Sequence, residues 1–207
     1  MRNEADFSEY FGISMNIPGR GVSMHVVLWR RLDVEGHDAC RYLNTSDGWA
    51  VEGTAVFEHA GTAACLTYRL LCDREWRSRS AAVSGWIGER RFELALEREN
   101  EAEWRINGLL DTSMTGLNDI DLGFTPASNT NAIRRLELSE GSKAESVAVW
   151  LDTEDWIVKR LPQSYNCTGA RTFDYASPRH DYHATLLIDD FGAVIDYPHL
   201  WTRESRD

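Results

Sequence analysis

Arg91-Phe92-Glu93-Leu94-Ala95-Leu96-Glu97-Arg98 alternates with a period of two: Phe92, Leu94 and Leu96 fall on one face, Glu93 and Glu97 on the other. Successive side chains of an extended chain point to opposite sides, so the pattern predicts a half-buried strand. It recurs in both directions. Upstream, residues 63–72 put Ala64, Leu66, Tyr68, Leu70 and Cys72 on one face, and residues 26–32, 39–43, 49–58 and 76–87 also read as strands. Asp47-Gly48 and Asn107-Gly108 are hairpin signals, the second following residues 104–106. Downstream, residues 146–151, 156–161, 163–167, 171–175, 182–188 and 193–197 are strand-like, and Ile133 with Leu136 marks one helical turn at most. About a dozen short strands with hairpin-length links predict one all-β domain, a strongly curved or closed antiparallel β-barrel. The domain is expected to span residues 25–207. Residues 1–24 read as an N-terminal extension docked through Phe7, Tyr10 and Phe11. A barrel of so many strands is wider than its own side chains fill, so an enclosed apolar cavity is expected.

Composition bounds the function. The 207 residues are 43% hydrophobic with eight Trp, which is globular material. A formal net charge of −11 argues against nucleic acid and against anionic membranes, both of which need a basic footprint. No run of about 18 apolar residues occurs, so no transmembrane segment is expected. The opening residues carry no secretory pattern. Cys40, Cys65, Cys72 and Cys167 are scattered without metal-ligand spacing, so four reduced core thiols, no metal, no cofactor and a cytoplasmic location are expected.

Candidates for chemistry concentrate in Asn118-Asp119-Ile120-Asp121-Leu122-Gly123-Phe124-Thr125-Pro126 and the polar run Ser128–Asn131 that leads to Arg134-Arg135. Asp119 and Asp121 share a strand face. Paired carboxylates serve glycosidases, yet those normally face each other across a cleft from separate elements. Strand parity sets Arg77 and Arg79 with Ala81 and Val83. On an apolar side they would need carboxylates or a polar ligand, and the alternative is an outward arginine row. No nucleophile elbow, phosphate loop or dinucleotide fingerprint occurs.

Several segments together resemble the bacterial glycolipid-binding family, formerly a domain of unknown function. They are Trp29-Arg30-Arg31-Leu32-Asp33, Tyr68-Arg69 with Cys72-Asp73 and Trp76-Arg77-x-Arg79, Asp119 to Thr130, Ile133 to Leu136, and Val194 to Leu200. The resemblance covers residues 25–203. It implies the fold of the lipoprotein carriers, a strongly curved antiparallel sheet around an apolar cavity, and binding of a lipid or glycolipid. Asn131-Ala132 departs from the family pattern, where an apolar residue and Pro are expected. No lipobox cysteine lies near the start.

The combined expectation is a non-enzymatic binder of a lipid or glycolipid small molecule, with a polar mouth orienting the headgroup. The expected ligand-binding set is Tyr68, Trp76, Arg77, Arg79, Asp119, Asp121, Phe124, Asn129, Arg134, Gln163, Tyr165 and Tyr175. Two alternatives stand beside it: a carbohydrate- or lipid-directed hydrolase using Asp119 and Asp121, and a structural or interaction domain with a filled core.

Overall fold

The computed structural model describes residues 23–100, 102–178 and 181–204, so the expected docking of Phe7, Tyr10 and Phe11 lies outside the described residues. Strands β1 (Met24–Arg31), β2 (Gly36–Thr45), β3 (Gly48–His59), β4 (Thr62–Cys72), β5 (Ser78–Ile87), β6 (Arg90–Glu99), β7 (Glu103–Ile106) and β8 (Leu109–Asp111) run as a meander. The chain then forms β9 (Asp119–Leu122), helix α1 (Asn129–Leu136), β10 (Lys143–Asp152), β11 (Ile157–Gly169), β12 (Thr172–Ser177), β13 (Tyr182–Ile188), β14 (Val194–Tyr197) and β15 (Trp201–Arg203). β15 returns to pair with β1, Trp29 opposite Arg203, and so joins the two halves into one sheet. Every neighbour pair is antiparallel except β9–β10, which the crossover through α1 makes parallel.

The expected closed barrel is not what forms. The order runs β8-β7-β6-β5-β4-β3-β2-β1-β15-β14-β13-β12-β11-β10-β9, and its two ends do not pair, so the sheet is open and not a closed barrel. Closure requires both edges to complete a ladder. β8 has three residues. β9 has four, and its free edge is capped by one residue: Ser78 N–H donates to the Asn118 carbonyl (2.8 Å) and Ile120 N–H donates to Ser78 Oγ (3.1 Å). These bonds satisfy edge groups without extending the sheet. Among the described residues the buried face is occupied by large side chains. Trp29, Tyr42, Tyr68, Phe124 and Tyr165 fill it, and residues 124–136 lie among them as a plug.

That plug departs most from the sequence expectation. Thr125 begins it in extended geometry and its Oγ1 accepts from Ala127 N–H (3.0 Å), with Pro126 in the first turn where its missing donor costs nothing. α1 then runs two turns before Glu137 ends it in left-handed geometry (φ 45°), its N–H returning to the Ile133 carbonyl. Residues 156–161 and 163–167, read as two strands around Pro162, form the single β11. β12 begins pairing only at Ser164, so Pro162 sits where that edge of β11 has no ladder partner.

Candidate functional site

Three constellations carry polar or aromatic chemistry: a polar layer around α1, an aromatic cradle at the helix end, and a recess at the opposite end among three hairpin tips.

The polar layer follows from helix periodicity. Ser128, Asn131 and Arg135 are spaced three and four apart, hence on one face, and that face meets β9. Arg135 grips Asp119 with two hydrogen bonds (2.7 and 2.6 Å), and Ser146 Oγ donates to the same carboxylate. Burial disfavours the Arg135 charge, but the bonds to Asp119 more than offset this, so its pKa rises. Asp121 receives Gln163 Nε2 (2.6 Å), which also donates to Tyr175 Oη (2.9 Å), while Ser128 Oγ lies 3.5 Å away. Burial raises the Asp121 carboxyl to about 6, against those donors. Asn129 donates to Tyr165 Oη (3.2 Å). Asn131 is fully buried, and neither atom of its amide has a partner among the described residues.

On the other flank of the plug lies Asp38, which sequence reasoning missed. It is wholly buried; Tyr68 Oη donates to its Oδ2 (2.9 Å) and Thr125 Oγ1 to the same oxygen. Burial raises this carboxyl too, to about 6. An alternating strand with Asp on its apolar face, Asp38-x-Cys40-x-Tyr42, was the available signal.

The aromatic cradle holds Arg134. Its guanidinium lies 5.1 to 6.0 Å from the ring centres of Trp49, Trp76 and Phe191, and donates to the Phe191 carbonyl (2.8 Å). Trp49 and Trp76 stack at 4.6 Å. Trp76 reaches this place from a left-handed turn (φ 63°), not from a strand. Burial lowers the Arg134 pKa.

The arginine pair proposed from parity does not share the apolar face. A bulge at Arg79 lets Ser78 oppose Cys72 while Ser80 opposes Leu71, so Ser78 and Ala81 both turn inward and Arg79 turns out. Arg77 is also exposed and pairs with Asp73 (2.7 Å) and Glu75. Asp119 and Asp121 therefore meet Arg135 and Gln163, not Arg77 and Arg79. Phe124 packs in the core beside Phe57 and Tyr68.

The recess lies at the far end of the sheet and encloses about 480 Å³. The β3–β4 tip supplies His59, the β5–β6 tip Ile87, Arg90, Arg91 and Phe92, and the β10–β11 tip Glu154, Asp155 and Trp156. Trp156 is its centrepiece. It adopts left-handed geometry (φ 61°), rare for a bulky residue, and its N–H donates to the Asp152 carbonyl (2.8 Å). Its indole Nε1–H donates to His59 Nε2 (3.1 Å), which leaves the His59 proton on Nδ1. The ring meets Phe92 edge-on at 5.2 Å and borders Phe124 at 6.4 Å. Arg91 pairs with Glu93 and Asp155 with Lys159. Arg90 and Glu154 have no ion-pair partner among the described residues. Among the described residues the recess thus offers aromatic surface beside a guanidinium, that of Arg90, and a carboxylate, that of Glu154, which enter no ion pair. Sequence alone did not single out these residues, because three hairpin tips far apart in the chain build the site.

No curated protein matches the chain. Among solved structures it is similar to a DUF1089 family protein from Pseudomonas aeruginosa, with 25% sequence identity and a TM-score of 0.71 over 90% of this chain and 94% of that one. The same architecture therefore recurs in an experimentally determined relative. A family model described as "Putative glycolipid-binding" matches residues 26–203, nearly the whole of the described sheet and its plug, and the chain belongs to that family.

Proposed function

We propose that the protein binds a glycolipid without transforming it, and that the hairpin-tip recess receives the saccharide headgroup. The observation that carries this reading is the recess itself. Trp156, held in a strained left-handed conformation, presents an aromatic ring beside the Arg90 guanidinium and the Glu154 carboxylate. Strained residues gather at ligand clamps, where the surrounding fold holds them in place. A sugar ring presents polarised C–H groups that suit the negative face of an aromatic ring. Its hydroxyls both donate and accept, so Glu154 and Arg90 satisfy complementary halves of them. The family description supports the same ligand class.

The filled buried face leaves the acyl chains outside the sheet. In this reading Asp38, Asp119, Asp121, Asn129, Gln163, Tyr165 and Tyr175 hold the plug in register, and Arg134 with Trp76 clamps its helix. Hydrolysis at Asp119 is disfavoured, because its carboxylate is already committed to Arg135 and Ser146. The four unbridged thiols support a reducing, cytoplasmic setting.

The test is calorimetric titration of the full chain with a short-chain alkyl hexopyranoside below its micelle-forming concentration, beside an alkyl phosphate of equal chain length. Saturable binding of the hexoside, weakened about tenfold by Glu154→Gln or Arg90→Gln, is expected for loss of one good hydrogen-bonding partner. Binding of both probes alike, unaffected by either change, refutes the headgroup assignment. Release of free sugar from the hexoside refutes the non-catalytic reading.

A further inference from the structure

We infer that the rim of the recess is a docking surface for the uncharged or zwitterionic face of a lipid bilayer; this rests on the glycolipid reading above. Four large apolar side chains are exposed at this end: Leu32 (40%), Val56 (50%), Trp86 (45%) and Ile157 (56%). Their positions are fixed by the strand tips. Leu32 follows the last residue of β1, Trp86 is next to last in β5, and Ile157 opens β11 directly after Trp156. Val56 lies opposite Cys65, and Cys65 opposite Trp86, so the three form one cross-strand row on the outer face of the sheet. Neighbouring strands are separated by about 4.8 Å, which sets Val56 and Trp86 about 10 Å apart with the Cys65 thiol between them. The row ends at Arg91, which lines the recess.

Several features select a bilayer over a protein partner. The apolar groups are a short outer-face row, Val56 to Trp86, and the separate side chains Leu32 and Ile157 at strand ends, not one broad flat patch. Trp is the side chain most at home at the boundary of headgroups and hydrocarbon, having an apolar body and one donor. The charges near the recess are of both signs, Arg90 and Arg91 beside Glu154 and Asp155, on a chain of net charge −11. A cluster of this kind gains nothing from an anionic surface and is suited to an electrically neutral one. The filled buried face gives the same direction: acyl chains that cannot enter the protein stay in the membrane, and the recess must come to the headgroup.

The experiment is sedimentation of the full chain with phosphatidylcholine vesicles, with and without a neutral hexosyl diacylglycerol, for the parent, Val56→Ser/Trp86→Ser and Ile157→Ser. All three residues are exposed, and circular dichroism and thermal melts verify the fold of each variant. The parent is expected to bind plain vesicles weakly and glycolipid vesicles more strongly. Each rim variant is expected to lose about tenfold in vesicle partitioning, as burial of exposed apolar area is removed, while retaining the parent's affinity for the short-chain hexoside. Equal partitioning of parent and variants overturns the docking inference and leaves the headgroup site standing. Loss of hexoside binding in the parent itself overturns the functional reading instead. A rim variant that changes oligomeric state at unchanged vesicle binding assigns the surface to a second copy of the chain and also overturns the inference.

Discussion

Replacing Asp38 with Asn reports directly on how the plug is held. The carboxyl is buried, and its pKa is raised from 3.8 to about 6, first by loss of solvation, with the bonds from Thr125 and Tyr68 pulling the other way. At about 1.4 kcal/mol for each tenfold change in proton affinity, the charged form costs about 3 kcal/mol in the folded protein relative to the unfolded chain. The sign follows from proton binding. Between pH 3.8 and about 6 the folded protein holds a proton that the unfolded chain has released, so stability falls as pH rises through that window. This contribution is fully present below pH 3.8 and lost above about 6. Asn keeps one oxygen for both hydroxyls and never ionises. Its amide replaces Oδ1, which already lacks a partner among the described residues, so little new penalty arises. Urea denaturation of parent and Asp38→Asn should give nearly equal stabilities at pH 4 and a variant more stable by up to about 3 kcal/mol at pH 8, at unchanged m-value. A variant less stable at pH 8, or a difference that does not vary with pH, would refute the reasoning.

Asp119→Asn should cost about 3 to 5 kcal/mol, because Arg135 is left mostly buried beside an uncharged amide; a thermal melt unchanged within error contradicts this. Asn131→Leu removes an amide with no partner among the described residues from a fully buried position, and a rise in melting temperature is expected from a gain of about 1 to 3 kcal/mol. A fall would imply that the amide has partners, ordered water included. Titration of denatured, unreduced protein should find four thiols, and two or fewer would contradict the unbridged cysteines.

What the sequence disclosed follows from what period-two patterning encodes. Residues 91–98 and 63–72 alternate because one face is buried, and β6 and β4 form where expected. Asn107-Gly108 specifies its turn by its own backbone preferences, and both residues take positive φ. Sheet closure is not local. Whether β8 meets β9 depends on edge groups such as Ser78, which no alternation reveals. Bulges defeat parity for a related reason: the extra residue at Arg79 reverses the face of every position before it. The full helix of the plug is hard to foresee because Ser128 to Asn131 are poor helix formers individually. Contacts from Asp119 to Arg135 and from Tyr42 to Thr130 stabilise that helix from outside it, and Asp38 holds Thr125 just ahead of it. The recess is not legible because its three groups of residues, around His59, Arg90–Phe92 and Glu154–Trp156, lie far apart in the chain and no local spacing links them.

The central claim is that the recess, not the aromatic cradle around Arg134, meets the sugar. Two-dimensional NMR of the full chain, titrated with the neutral alkyl hexopyranoside, tests it most directly by following backbone amides and the eight tryptophan indoles. The account predicts saturable shifts at the Trp156 indole and at the amides of Arg90, Arg91, Glu154 and Asp155, with Trp49 and Trp76 unmoved. Shifts centred on Trp49, Trp76 and Arg134, or no saturable shift at any site, would contradict it.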